Sequence, residues 1–414
     1  MKNKSFFSVN LFFLFFLLFC VYPSFLGAEK IYSTMGRYYE RILQTIEKNQ
    51  KLYLLLGDSS HLPLTGVVKI NYRYRKRNPL FMGDRTIIAL ATGDILKGNL
   101  VKGGSLDIHF EVKGFSTMKI SLDYLRAVFF LQSLKTPKAR EDYFRKVMEE
   151  KKKKDILYLK KGGKIRCVIE GIYPQYIRYQ LQGLGSRKIE VNKLLAVKIA
   201  PLGGEFQKPK THYGQFILDQ GEILQGQILG LNSGSWQIKT FLGSKIALHT
   251  SRILEIYFYG GQFDYLSDLK PIQFKYTPGI ANLGSPPFTW KKDQNIFGHP
   301  LRLGGRIYPK GIGLHTKMVL TYSIDGKYTF FYGKLGFDDS VWEVKSSYQP
   351  KGRFRIFGDG KLLYDSKVFQ TKKALDIQVS LVGVKTLTID AGFPENQDDI
   401  LGRLNLVDAY LVKK

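Results

Sequence analysis

The spacing of hydrophobic positions changes several times along the chain, and each change predicts an element. Residues 11–19 form an unbroken apolar run behind the basic start Met1-Lys2-Asn3-Lys4. Pro23 and Ser24 break it, and Leu26-Gly27-Ala28 places a small residue before Glu29. Residues 1–28 thus read as a cleaved secretory signal. An uncleaved anchor is the alternative, but the run is short of the roughly 20 apolar residues a span needs. Phe19 before Cys20 argues against a lipid on that cysteine. Next, Tyr32, Met35, Tyr39, Ile42, Leu43, Ile46, Tyr53 and Leu56 fall near helical spacing. They predict a helical segment over residues 29–60.

The period then shortens to that of strands. Gly93-Asp94-Ile95-Leu96 and the run 125–130 recur 128 residues later as Gly221-Glu222-Ile223-Leu224 and 253–258. A weaker copy runs from Gly163-Lys164-Ile165 to 195–199. β-rich runs with Gly and Asn turns predict strands and turns, and a fixed period predicts repeated units. Tandem SH3-like or Sm-like β-barrels are expected at 61–136, 155–204 and 211–266. A polar helix is expected at 137–154, opened by Pro137 and closed by the lysines 151–154. Residues 203–210 and the Pro- and Gly-rich stretch 268–287 read as linkers, with the main boundary near 282. Beyond it, 319–324 and 328–333 flank Asp325-Gly326, a hairpin signal. Residues 354–357 turn at Gly358-Asp359-Gly360-Lys361 into 362–364, and 377–381, 387–390 and 407–412 complete the set. Regular strands with such turns predict a β-sandwich over 283–414. The expected class is mainly β: N-terminal helix, tandem barrels, C-terminal sandwich.

Composition narrows what this architecture can do. Of 414 residues, 44% are hydrophobic and 14% aromatic, which excludes a disordered chain. Two cysteines exclude a disulfide scaffold, and signal cleavage leaves Cys167 alone, either a buried structural thiol or a reactive one. The net charge of +28 would ordinarily suggest nucleic acid, as would Arg73-Tyr74-Arg75-Lys76-Arg77. Export turns that reading toward anionic glycans, cell-wall polymers or phospholipid headgroups, and no nucleic-acid partner is expected. The basic excess is concentrated before the boundary: residues 29–281 hold 41 basic and 22 acidic residues, against 20 and 13 in 282–414. There is no nucleophile elbow, metal-ligand His pair, P-loop or dinucleotide fingerprint. The chain therefore reads as not an enzyme, with a cryptic glycoside hydrolase as the alternative.

The last third carries a family pattern. Tyr308-Pro309-Lys310-Gly311-Ile312-Gly313-Leu314-His315, Gly336-Phe337-Asp338-Asp339, the segment 354–366, Val382-Gly383-Val384-Lys385 and Val407-Asp408-Ala409-Tyr410 follow in order. Together they resemble the NPCBM family, carbohydrate-binding modules often found beside glycoside hydrolase domains. The resemblance implies a jelly-roll-type sandwich that binds sugars, in some relatives with a structural calcium. One departure stands out: where the family usually has a Trp, this chain has Leu406, after Gly402-Arg403-Leu404-Asn405. Sugar recognition needs aromatic faces and polar groups that reach hydroxyls. Trp290, His315, Trp342 and Tyr348 could supply rings and donors. Asp338, Asp339, Asn396 and Asn405 could supply oxygens, and Asp398 and Asp399 are the calcium candidates. Structural alternatives stand beside these: His315 tying down a loop, Trp290 in the core, Asp338-Asp339 capping a turn. The first expectation is a secreted or periplasmic, non-catalytic carbohydrate-binding protein with the repeats as spacer or docking platform. An envelope scaffold, or an adhesin for an anionic envelope surface, with the sugar site lost, is the alternative.

Overall fold

The computed structural model describes residues 29–40 (37–40 in backbone only), 42–72, 80–114, 117–150, 154–201, 206–277, 288–344, 349–392 and 401–414. The expected signal, the basic cluster 73–77, the lysines 151–153 and the linker stretch 278–287 lie outside the described residues. The chain divides between Tyr259 and Gly260 into two compact units, both mainly β.

Among its described residues the first unit holds four copies of one β motif. Each copy opens with a strand, meanders, and closes with a strand that pairs with the opening one. These pairs are Glu29–Ser33 with Val67–Asn71 and Thr86–Leu90 with Leu125–Phe129. They continue with Asp155–Leu159 and Leu194–Lys198, then Tyr213–Leu218 and Ile253–Tyr259. A one-turn 3-10 helix precedes every closing strand: Leu64–Gly66, Leu122–Tyr124, Val191–Lys193 and Thr250–Arg252. One backbone hydrogen bond repeats in all four, donated by Thr34, Ala91, Lys160 and Asp219 to the carbonyls of Gly66, Tyr124, Lys193 and Arg252.

The helix expected over 29–60 is corrected: the segment forms the strands Glu29–Ser33, Gly36–Glu40, Ile42–Lys48 and Lys51–Leu56 of the first copy. The apparent helical stripe included residues that the fold leaves outside. Met35 is 70% exposed and Leu43 44%, whereas Ile31, off that stripe, is fully buried. Asn49 and Gln50 take φ of 49° and 59°, which reverses the chain inside the supposed helix. Pairing with a strand far along the sequence overrides local periodicity. The expected first repeat, 61–136, therefore joins the end of one copy to the whole of the next.

The copies associate in pairs through their closing strands. Val128 faces Val197 between the second and third copies, and Ile70 faces Ile256 between the first and fourth. Each facing pair occupies equivalent positions in its two copies, so each contact has two-fold character. The helix Pro137–Glu149, capped by Thr136 Oγ1 accepting from Ala139 N at 3.1 Å, lies on the second-and-third pair. There Val147 joins a core of Ile87, Ala127, Phe129, Ile156 and Ala196. In the first-and-fourth pair the places of Ala127 and Ala196 hold Lys69 and Glu255, 3.7 Å apart, and Lys69 also donates to Tyr257 Oη at 2.6 Å. Cys167 is buried, and burial pushes its thiol up to about 12.

The second unit is a sandwich of antiparallel sheets. One runs Lys291–Lys292, Gly311–His315, Arg403–Lys413, Tyr328–Phe337, Leu375–Ser380. The other runs Gln273–Tyr276, Met318–Ser323, Thr386–Gly392, Gly352–Gly358, Lys361–Phe369. Leu320, Phe331, Phe337, Phe354, Ile389 and Leu404 belong to the core between them. The unit begins earlier than the composition suggested. Phe263 and Tyr265 are buried and face Val412 and Tyr410, and Gln273–Tyr276 extends the second sheet. The stretch around Pro271 is thus partly strand, because a sheet edge tolerates the residues that also mark linkers. Asp325-Gly326 does form a turn, with φ of 49° and 65°. The strands it joins lie in different sheets, so it is an arch and not the expected hairpin.

Candidate functional site

One end of the first sheet gathers the polar side chains of the sandwich. His315 faces Arg403 there, and Phe337 faces Leu404. Asn405 stands in the middle strand with Gly313 opposite it on one side and Gly336 on the other. Neither glycine has room for a side chain. A Cβ on Gly313 would lie 2.6 Å from Asn295 Cα, and one on Gly336 would overlap Leu303. The two missing side chains let the turn 293–300 and the hairpin Leu301–Leu303 with Arg306–Tyr308 lie directly on the sheet.

Asp338 fastens these layers. It is almost fully buried, and its Oδ2 accepts from Asn405 Nδ2 at 2.7 Å and Asn295 Nδ2 at 3.2 Å. Its Oδ1 accepts from Ser340 N at 3.1 Å, which caps the 3-10 turn Asp339–Val341. Asn295 Oδ1 accepts from Phe297 N and His299 N at 3.0 and 2.9 Å, closing its own turn. Asn405 Nδ2 also donates to Arg302 O at 3.0 Å, while its buried Oδ1 has no partner among the described residues. A buried carboxylate is tolerated only when donors replace its water, and three do so here.

Above this base the turn presents Phe297, 49% exposed. The Arg403 guanidinium lies 5.0 Å from its ring centroid and donates from Nη1 to Ser340 Oγ at 3.1 Å. Burial lowers the pKa of Arg403 and the nearby Asp338 charge opposes that shift. The guanidinium nonetheless stays charged at any physiological pH. Gln294 and His299 are exposed on the same turn. A ring face beside amide, imidazole and guanidinium groups can stack on an apolar surface and hydrogen-bond around its rim.

The residues singled out in the sequence fall in different places. Asp338 and Asn405 come together, inside the network and not at the surface. Asp339 accepts from Gly304 N and Gly305 N at 2.8 Å each, holding the hairpin tip. His315 is buried between aromatic rings, stacked on Phe288 at 4.6 Å and edge-on to Tyr276 at 6.0 Å, with Nδ1 3.1 Å from Thr316 O. Trp290 and Trp342 are partly buried against the sandwich core, and Lys372 Nζ lies 5.4 Å from the Trp342 ring. Tyr348, Asn396, Asp398 and Asp399 lie outside the described residues. Leu406 is fully buried between Ile312 and Leu335, so its place belongs to the core. Phe297, Arg403, Gln294 and His299 were not singled out. The only hint was a turn-rich run, 293–300, around one aromatic.

Residues 263–409 match the NPCBM/NEW2 domain model, so the second unit is an NPCBM domain. The chain is 31% identical over 125 residues to an inferred endo-alpha-N-acetylgalactosaminidase of Renibacterium salmoninarum. That match takes in 28% of this chain and spans 8% of the relative's length. Among solved structures, the CBM51 of Clostridium perfringens GH95 in complex with methyl-galactose is 21% identical, with a TM-score of 0.31, over 36% of this chain and 99% of that one. Tandem CBM51 modules of a family 98 glycoside hydrolase from Streptococcus pneumoniae are 13% identical, with a TM-score of 0.31, over 93% of this chain and 88% of that one. The domain assignment rests on the sequence of 263–409.

Proposed function

We propose that the chain is a secreted, non-catalytic glycan-binding protein. Its sandwich holds sugar at the Phe297 turn, and the four β copies, as small SH3-like barrels, serve as spacer or docking platform. The observation that carries this reading is the exposed Phe297 ring, flanked by Gln294, His299 and Arg403 on a base fastened by Asp338. The NPCBM domain supports it. A ring stacks on the apolar face of a pyranose, while the polar groups reach its hydroxyls. A turn already fixed by Asn295 loses little freedom on binding. Leu406 is fully buried in the core and takes no part in this surface.

Secretion rests on the pattern of residues 1–28; among the described residues no helix is long and apolar enough to cross a membrane. Calcium at Asp398 and Asp399 is proposed for the segment 393–400 on its sequence alone. Affinity electrophoresis of the full chain against a glycan panel tests the sugar reading. Phe297→Ala is expected to weaken retention about tenfold or more, as for a central aromatic anchor. Its melting temperature should barely change, because the ring is surface-exposed. Equal retention of wild type and variant, or none on any glycan by folded protein, counts against the site.

A further inference from the structure

Several cations of the sandwich that are sheltered from water pair with a carboxylate. Arg353 forks onto Asp365 with bonds of 3.0 and 2.6 Å, and Arg355 reaches Asp390 at 2.5 Å. Lys310 lies 2.8 Å from both Asp268 and Asp293. Arg403 is different. It is half-buried, yet it makes no ion pair among the described residues, and its hydrogen bond goes to the neutral hydroxyl of Ser340. The nearby carboxylate, Asp338, is taken up by Asn295, Asn405 and Ser340.

A guanidinium has five N–H donors in a planar fork, so most of this fork is uncommitted among the described residues. A half-buried guanidinium loses hydration, and the Asp338 charge, which it does not contact directly, offsets only part of that loss. An anion at the fork would offset that loss. The ring of Phe297 stands over the guanidinium, so a ligand held by the fork is placed beside the ring. Arginine matches a planar carboxylate with two parallel hydrogen bonds, which lysine cannot reproduce. The surrounding charge is favourable: residues 260–414 hold 22 basic and 15 acidic residues.

We infer that the site selects acidic glycans, with the carboxylate of a uronate or sialate pyranose on Arg403 and the sugar ring against Phe297. The inference rests on the sugar-binding reading of the Phe297 turn and adds the ligand class.

The test uses the full chain and matched sugar pairs in isothermal titration. One pair is an oligogalacturonate and its carboxyl-reduced galactose counterpart; the other is sialyllactose and lactose. The tighter of the two acidic sugars identifies the source of the carboxylate. In at least one pair the acidic member is expected to bind about tenfold or more tightly, as for a charge-assisted bidentate contact. Methyl-esterifying the oligogalacturonate should bring it to the level of its neutral counterpart, and this arm needs no variant. Arg403→Gln should abolish the acidic preference, and Arg403→Lys should keep only part of it. Equal binding of acidic and neutral members, or a preference that survives Arg403→Gln in folded protein, overturns the inference and leaves the sugar site standing. Binding to no member of either pair, with the Phe297→Ala variant indistinguishable from wild type, overturns both.

Discussion

Asp338 illustrates how a residue's chemistry and its surroundings jointly set its role. In the sequence it is one of two adjacent carboxylates suited to hydroxyls, to calcium or to a turn cap. In the fold it caps the turn and also joins Asn295 of one layer to Asn405 of another. Replacing it by alanine leaves two buried amide donors and one backbone donor without acceptors. Asp338→Ala is therefore expected to cost about 3 kcal/mol of sandwich stability. Urea unfolding followed by hydrogen exchange in 400–410 would report it, and a change below about 1 kcal/mol, the net worth of one ordinary hydrogen bond, contradicts the fastening role. The neighbouring glycines are part of the same device. What fills the space beside Gly313 and Gly336, a turn and a leucine, comes only from the fold.

At the scale of elements, the repeated Gly-acid-Ile turn explains how the copies join. Ile95 of the second copy faces Ile223 of the fourth, at equivalent positions. The acids beside them, Asp94 and Glu222, are buried at this junction. Asp94 accepts from Thr92 Oγ1 and from Gln225 N, the latter at 2.5 Å, with Lys208 nearby. Arg252, 3.5 Å away, and Lys97 partner Glu222, with Asp219 near both and Arg85 and Arg140 near Lys97. The third copy has Gly163 at this place and the first has Arg37. Burial pushes Asp94 up to about 6 from its ordinary 3.8. Between those values the folded chain keeps a proton that the unfolded chain releases. This group's contribution to stability is thus greatest below about pH 4 and declines as the pH rises to 6, by about 3 kcal/mol at 1.36 kcal/mol per pH unit. Asp94→Asn keeps the acceptor for Gln225 and cannot ionise. The variant should gain on wild type in melting temperature between pH 4 and 7, and a gap that stays constant across that range refutes the assignment.

The whole molecule consists of two units with different charge. Residues 29–259 hold 39 basic and 20 acidic residues, so the excess belongs mainly to the β copies. The path of the chain through these copies is not a string of beads. The fourth copy returns to pair with the first, and the second pairs with the third between them. Removing residues 29–72 leaves the closing strand Ile253–Tyr259 with an open edge carrying Ile256 and Tyr257. An unpaired apolar edge recruits another strand. Because the lost contact had two-fold character, the truncated chain should form dimers through this edge. Light scattering on a size-exclusion column would show them, and a stable monomer excludes the pairing as a source of cohesion.

Much of this was legible before the fold was seen. Gly93 and Gly221 marked equivalent turns because positive φ favours glycine, and the 128-residue offset identified two copies. The motifs from Tyr308 to Tyr410 identified the NPCBM domain because they are local and ordered. The expected helix over residues 29–60 is absent among the described residues because a period of three to four residues does not distinguish a helix from short strands joined by tight turns. Only the pairing of Glu29–Ser33 with Val67–Asn71 decides between them. The site was harder still. Phe297 and Arg403 are 106 positions apart in the sequence and meet because Gly313 admits the turn 293–300 onto the sheet, with Gly336 making room for Leu303 beside it. The sequence by itself determined the turns, the strands beyond the first copy and the domain family, since those depend on neighbours along the chain. Which copies pair, which carboxylates are buried and which ring faces water depend on neighbours across it, and the tertiary structure alone decided them.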